Sequence, residues 1–166
     1  MAERHRLPFD PIERAADQWS QRHPEVARMR AVTSLMRVHQ LVLSELDELL
    51  RPLGLTFARY EVLVLLSFSR RGYLPLGKIG ERLQVHATSV TSLAQRLDAA
   101  GLIERRPHPD DGRAVLAAIT ESGRRVLQQA TDLITAAGFG LTSLSETECD
   151  ALSSLLRGPR AAAGDF

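Results

Sequence analysis

Two adjoining stretches hold the residues best suited to do chemistry. The first, "HATSVTSLAQRLDAAG", carries Thr88, Ser89, Thr91, Ser92, Gln95 and Arg96 among the apolar Val90, Leu93, Ala94 and Leu97. At helical spacing the apolar residues share one face and the polar ones the other. Short hydroxyls let a helix approach the floor of a DNA groove, while Gln and Arg reach base edges or phosphates. An ordinary solvated face is the plainer alternative. Such faces are richer in Glu and Lys, which form helices better than Ser and Thr. The hydroxyl cluster over residues 88–92 therefore favours a groove-reading helix.

The second stretch, "RRPHPDDGRAVLAAI", follows at once. Asp111-Gly112 between the extended runs "LIERRP" and "RAVLAAI" is a hairpin signal. Arg113 comes directly after the turn and is expected to project from its tip. An arginine on a thin β-ribbon can enter the minor groove, whose negative potential attracts it. Asp111 cannot favour DNA by its charge, and its expected role is to hold the Arg113 guanidinium in a charge-assisted pair. Arg105 and Arg106 alternate along the strand, so one reaches phosphates while the other points inward. Arg106 is taken for the DNA side, and Lys78, upstream, for a phosphate contact. A solvated hairpin is the alternative.

The elements that must position these groups are legible around them. "GKIGERLQV" reads as a short helix, separated from the hydroxyl-rich one by a few residues around Gln84–His86. That is helix-turn-helix spacing. Upstream, Asp10 and Pro11 open a helix, Pro24 breaks it, and a long helical pattern follows until "RPLG". Its apolar positions are Val32, Leu35, Met36, Leu43, Leu46 and Leu50. Thr56 caps the next helix, which is expected to end at Arg70-Arg71-Gly72, and "YLPL" is a short extended piece. Downstream, Thr120 caps one helix, and a Ser145–Glu148 capping box opens another, with Gly158 as its expected stop. The fold class is mainly α with a small β-wing. The terminal helices have apolar faces larger than one small winged domain can cover, which predicts a homodimer.

The totals set bounds on this reading. Net charge is only +1 over 166 residues, but residues 70–113 carry eight Lys and Arg against five Asp and Glu. The last part of the chain is acidic, which argues against an architectural DNA-binding protein, the alternative reading. His23, His39, His86 and His108 show no metal-ligand spacing, and the single Cys149 allows no internal disulfide. Neither a phosphate-binding glycine loop nor a Ser/His/Asp set is visible, so no enzyme, metal or cofactor is expected. No apolar run approaches the ~20 residues of a membrane span, and the polar N-terminus lacks a secretory core. A cytoplasmic protein with no membrane partner is expected.

"LTFARYEVLVLL", "RLDAAGLIERR", the "DDGR" wing and "ITESGRRVL" resemble the MarR (multiple antibiotic resistance regulator) family, in near-continuous register over residues 55–127. The resemblance implies a winged helix-turn-helix within 55–120. It implies dimerisation helices over 10–54 and 121–158, so that residues 1–166 form one MarR-type domain. Double-stranded DNA is the implied partner, bound by a homodimer at a pseudo-palindromic operator, with repression relieved by a small ligand. By match, Asp111 and Arg113 take the wing positions, while Gly112 stands where relatives usually carry Arg. The segment with Trp19 resembles the branch that senses urate and related anions, which implies a Trp, an Asp and two Arg around the ligand. Trp19 and Arg105 match, Glu61 replaces the Asp, and Leu93 replaces one Arg. A small, flat, anionic or phenolic ligand is expected, with Trp19 as its stacking surface and His39 as an orienting polar group.

Overall fold

The computed structural model describes residues 7–109, 111 and 114–166, and several of its helices begin where a short polar side chain precedes them. Asp10 accepts the Ile12 and Glu13 amides at 2.8 and 3.3 Å and so opens α1, Pro11–Ser20. Pro11 in the first turn has no N–H to satisfy. Helix α2 spans Val26–Leu50. The chain divides into two compact units, Met1–Ser44 and Glu45–Phe166, with the division falling inside α2.

In the first unit, Ala16 is buried and Glu13 pairs with Arg30 at 2.8 Å, tying α1 to α2. The apolar side chains of α2 find little cover: Val32 is 55% exposed, Leu35 44% and Met36 57%. Within α2 only Leu46 and Leu50, both in the second unit, are buried.

The second unit holds the core. A short 3₁₀ turn, Arg51–Leu53, closes on Gly54 in the left-handed region. Thr56 then caps α3, Phe57–Ser67, and Asp47 accepts the Phe57 amide at 2.7 Å. Strand β1 is Tyr73–Pro75, α4 Leu76–Leu83 and α5 Ala87–Ala99. Strands β2, Ile103–Pro107, and β3, Val115–Ile119, complete an antiparallel sheet in the order β1-β3-β2. Helix α6 is Glu121–Ala136 and α7 is Glu146–Ala162. Leu63, Leu66, Ile79, Leu97, Ile103 and Leu116 lie almost wholly out of water. Each such side chain contributes about 1.5–3 kcal/mol by transfer from solvent. The architecture is mainly α with one small sheet, as expected.

The entry to α6 shows why "ITESG" has its form. Thr120 accepts the Gly123 amide at 2.9 Å, and its hydroxyl donates to Gly101 O at 2.8 Å. A Cβ at Gly123 would stand 2.0 Å from Leu102 O, so only glycine lets α6 approach the backbone just before β2 this closely.

One expected boundary is corrected. Helix α7 does not stop at Gly158 but runs to Ala162, with Pro159 inside it. The lost amide of Pro159 falls in an exposed last turn, where water can satisfy the freed carbonyl. Closure comes later, where Gly164 takes a positive φ. There Arg160 pairs with Asp165 at 2.6 Å, and Arg157 and Arg160 stack on the Phe166 ring. Helix α3 likewise ends at Ser67, ahead of Arg70-Arg71-Gly72. Among the described residues, no helix is long and apolar enough to cross a membrane.

Candidate nucleic-acid interface

The turn between α4 and α5 is tight. Gln84 adopts a left-handed conformation as the C-cap of α4. A Cβ at Gly80 would lie 3.2 Å from both Val85 O and a Val90 methyl. His86 caps α5: its Nδ1 accepts the Thr88 amide at 3.3 Å and lies 2.8 Å from the Thr88 hydroxyl. A ring that accepts a backbone N–H at Nδ1 carries its proton on Nε2, which leaves a donor at the start of the helix.

Val90, Ala94 and Leu97 pin α5 to the core. Thr88, Ser89, Ser92, Gln95 and Arg96 are exposed on its other side. Thr91 is half-buried, and its hydroxyl donates to Ala87 O at 2.9 Å. Among the clefts beside the helix, two divide its polar residues between them. Thr88, Ser89, Ser92 and Arg96 line one together with Thr56 and Arg59. Thr91 lines the other with Lys78, His108 and Asp111. The hydroxyl cluster thus faces two ways. Arg59, whose Nε–H donates to Thr56 at 3.3 Å, was not anticipated. It stands in an apolar run, and only the packing of α3 beside α5 brings it to this surface. His86 was missed because Ser, Thr, Asp and Asn are the usual caps.

Lys78 is exposed and pairs with Glu81 at 2.7 Å. Such a surface pair stabilises little, so the ammonium can exchange its carboxylate for a phosphate at small cost. In the hairpin, Arg105 pairs in register with Ala117 and Arg106 with Leu116, so the two arginines take opposite faces. Arg106 is exposed, 4.9 Å above the Tyr73 ring. Arg105 is half-buried, and its Nε has no hydrogen-bond partner among the described residues. His108 N–H donates to Ala114 O and Ala114 N–H to Asp111 O, at 2.9 and 3.0 Å. Asp111 is exposed. Arg113, Gly112 and Asp110 lie outside the described residues.

Of the residues read as ligand contacts, Trp19 and His39 belong to the first unit and Glu61 and Arg105 to the second. Trp19 is 41% exposed. Its indole N–H donates to Pro24 O at 2.8 Å, and its ring lies 4.6 Å from that of His23. His39 is exposed on α2. Glu61 is half-buried on α3, and burial pushes its carboxyl above the usual range. Among the described residues, no cluster of three or more His, Cys, Asp or Glu could hold a metal ion.

A family model described as the MarR family matches residues 53–114. The organic hydroperoxide resistance transcriptional regulator of Bacillus subtilis (strain 168) is 32% identical over 108 residues, covering 65% of this chain and 71% of that protein. Among solved structures, Sco5413, a MarR family transcriptional regulator from Streptomyces coelicolor, is 50% identical with a TM-score of 0.79, over 85% of this chain and 98% of that one. A mutant MarR from E. coli complexed with operator DNA is 26% identical with a TM-score of 0.67, over 76% of this chain and 90% of that one.

Proposed function

The chain belongs to the MarR family of transcriptional regulators, which bind DNA and are not enzymes, and from that premise we propose that it acts as a homodimeric, ligand-responsive repressor on a pseudo-palindromic operator. The observation that carries this reading is the exposed face of α5. Thr88, Ser89, Ser92, Gln95 and Arg96 all stand free of the core, on a helix whose other side is anchored by Val90, Ala94 and Leu97. The E. coli relative on operator DNA supports the same use of the fold.

In this reading α5 enters the major groove, and Thr88, Ser89, Thr91, Ser92, Gln95 and Arg96 supply its contacts. Lys78 and Arg106 hold phosphates, which position the protein without reading sequence. Arg113 enters the minor groove, with Asp111 as its partner. Two copies joined through their exposed apolar helices set the recognition helices one turn of DNA apart, ~34–36 Å. The test is binding to the DNA upstream of the gene against random DNA at one fixed salt concentration. A large specificity ratio is expected. A ratio near one would favour the architectural reading instead.

The ligand is a small anionic or phenolic molecule. Its acidic group pairs with Arg105, whose unpartnered Nε supports this role. Glu61, Trp19 and His39 are the other proposed contacts. Salicylate and urate, titrated against the protein–operator complex, are expected to release the DNA and change the emission of Trp19, the only tryptophan. Release without a change in emission, together with a normal response from Trp19→Phe, would remove Trp19 from the site.

A further inference from the structure

A hydrogen-bonded turn, residues 69–72, joins α3 to β1 and holds two arginines at its tip. Ser69 O accepts the Gly72 amide at 3.0 Å, the Ser69 hydroxyl donates to Tyr73 O at 2.8 Å, and Gly72 has a φ of 73°. Serine at the first position and glycine at the last suit such a turn, while its middle positions accept most residues. Folding therefore does not require Arg70 and Arg71 there.

Beside the turn lies an open cleft of about 420 Å³, whose lining includes Phe68, Arg70, Arg71, Tyr73, Arg82 and His108 and, among the described residues, no carboxylate. Arg70, Arg71 and Arg82 are exposed, and none pairs with a carboxylate among the described residues. Phe68 is 76% exposed. Arg106 adds a fourth guanidinium above Tyr73. This cleft shares Pro75 and His108 with the one lined by Lys78, Thr91 and Asp111. The basic surface is thus continuous with the face proposed to meet the operator.

We propose that this arginine patch holds backbone phosphates of the DNA flanking the operator, beyond the base pairs that α5 and the wing reach. The inference rests on the DNA-binding reading above. Like-charged groups held together without partners repel, and a polyanion relieves that repulsion. Guanidinium forks match phosphate oxygens, and the exposed Phe68 ring offers apolar cover to the sugars between them. Continuity with the Lys78 side favours DNA over an acidic protein segment.

The test uses a short operator of about 20 base pairs, room for two half-sites one turn apart, and the same operator lengthened by about 10 base pairs of arbitrary sequence at each end. Wild-type protein is expected to bind the long DNA roughly tenfold more tightly. Arg70→Ala/Arg71→Ala and Arg82→Ala are expected to lose that gain while changing short-operator affinity less than about twofold, and to lower the salt slope on long DNA by about 0.9 per lost phosphate contact. Equal binding of both lengths by wild type overturns the proposal, as does an undiminished gain in the turn variant. In either case an acidic protein partner becomes the reading of the patch. Failure of wild type to bind any upstream DNA overturns the DNA-binding reading itself, and this inference with it.

Discussion

Helices α5 and α2 each leave one face uncovered by their own chain, but the two faces are chemically opposite. On α5 the open face is Thr88, Ser89, Ser92, Gln95 and Arg96. On α2 it is Val32, Leu35 and Met36. The polar face loses nothing in water, so only a partner offering hydrogen bonds and charge can improve on solvent. The apolar face gains about 25 cal/mol for each Å² it hides from water, and needs only an apolar partner of matching shape. An uncovered face says that something is to be bound, and its composition says what. Here α5 is suited to DNA and α2 to an apolar partner, in the proposed reading a second copy of the chain.

The largest effect is expected from charging the apolar face. Leu35→Glu with Met36→Glu would bury four carboxylates in the proposed dimer seam. Sedimentation at micromolar concentration should then show a monomer. Operator affinity should fall by 10²-fold or more, roughly the avidity lost when two half-site contacts are no longer linked. A persistent dimer with unchanged affinity would break the comparison, because α2 would then serve some other end.

Next comes the wing. Arg113→Ala should leave the dimer intact and weaken operator binding by about 1–3 kcal/mol, the range of a good side-chain contact to DNA. Asp111→Ala should give a smaller loss, since it frees Arg113 rather than removing it. Unchanged affinity in the Arg113 variant at fixed salt would remove the wing from the interface and leave α5 alone.

Smaller and more discriminating effects are expected on α5 and its neighbour. Gln95→Ala and Ser89→Ala should relax preference at particular base pairs. Lys78→Ala should weaken all sequences alike and lower the salt slope by about 0.9 for each phosphate lost. Base-preference profiles identical to wild type in the Gln95 and Ser89 variants would turn the open face of α5 back into an ordinary solvated surface.

The features legible in the sequence were the local ones. Asp10, Thr56, Thr120 and Ser145 cap helices within a few residues of themselves, so each could be read without knowing the fold. The turn between α4 and α5 was visible because the apolar period breaks there. Arg59 was not, because its place beside α5 depends on how α3 packs rather than on its own neighbours. Gly158 followed by Pro159 looks like a stop, yet closure of α7 depends on Asp165 and Phe166 beyond it. The two-way split of the hydroxyl cluster was equally hidden, since helical spacing gives one polar face and only the flanking clefts divide it.

The smallest expected effect separates the two regions by pH. Glu61 sits on α3, and Glu148 lies in the first turn of α7. Burial pushes the Glu61 carboxyl up. The Ser145 amide and hydroxyl, donating at 2.8 and 2.7 Å, pull Glu148 down. For Glu61 the folded value lies above the unfolded one, so its relative contribution is full below the unfolded value and is lost as pH rises through the folded value. For Glu148 the order reverses: its contribution is present above the unfolded value and is lost as pH falls through the folded value. Glu61→Gln should therefore raise the unfolding midpoint slightly at neutral pH, and the gain should close in acid. Glu148→Gln should lower the midpoint at neutral pH, and that loss should also close in acid, because the protonated wild-type carboxyl no longer prefers the fold. Thermal unfolding of both variants against wild type, from neutral pH down through the carboxylate range, checks the two signs together. If both substitutions move the midpoint the same way at neutral pH, one of the two causes is misassigned, and the variant whose difference fails to close in acid identifies which.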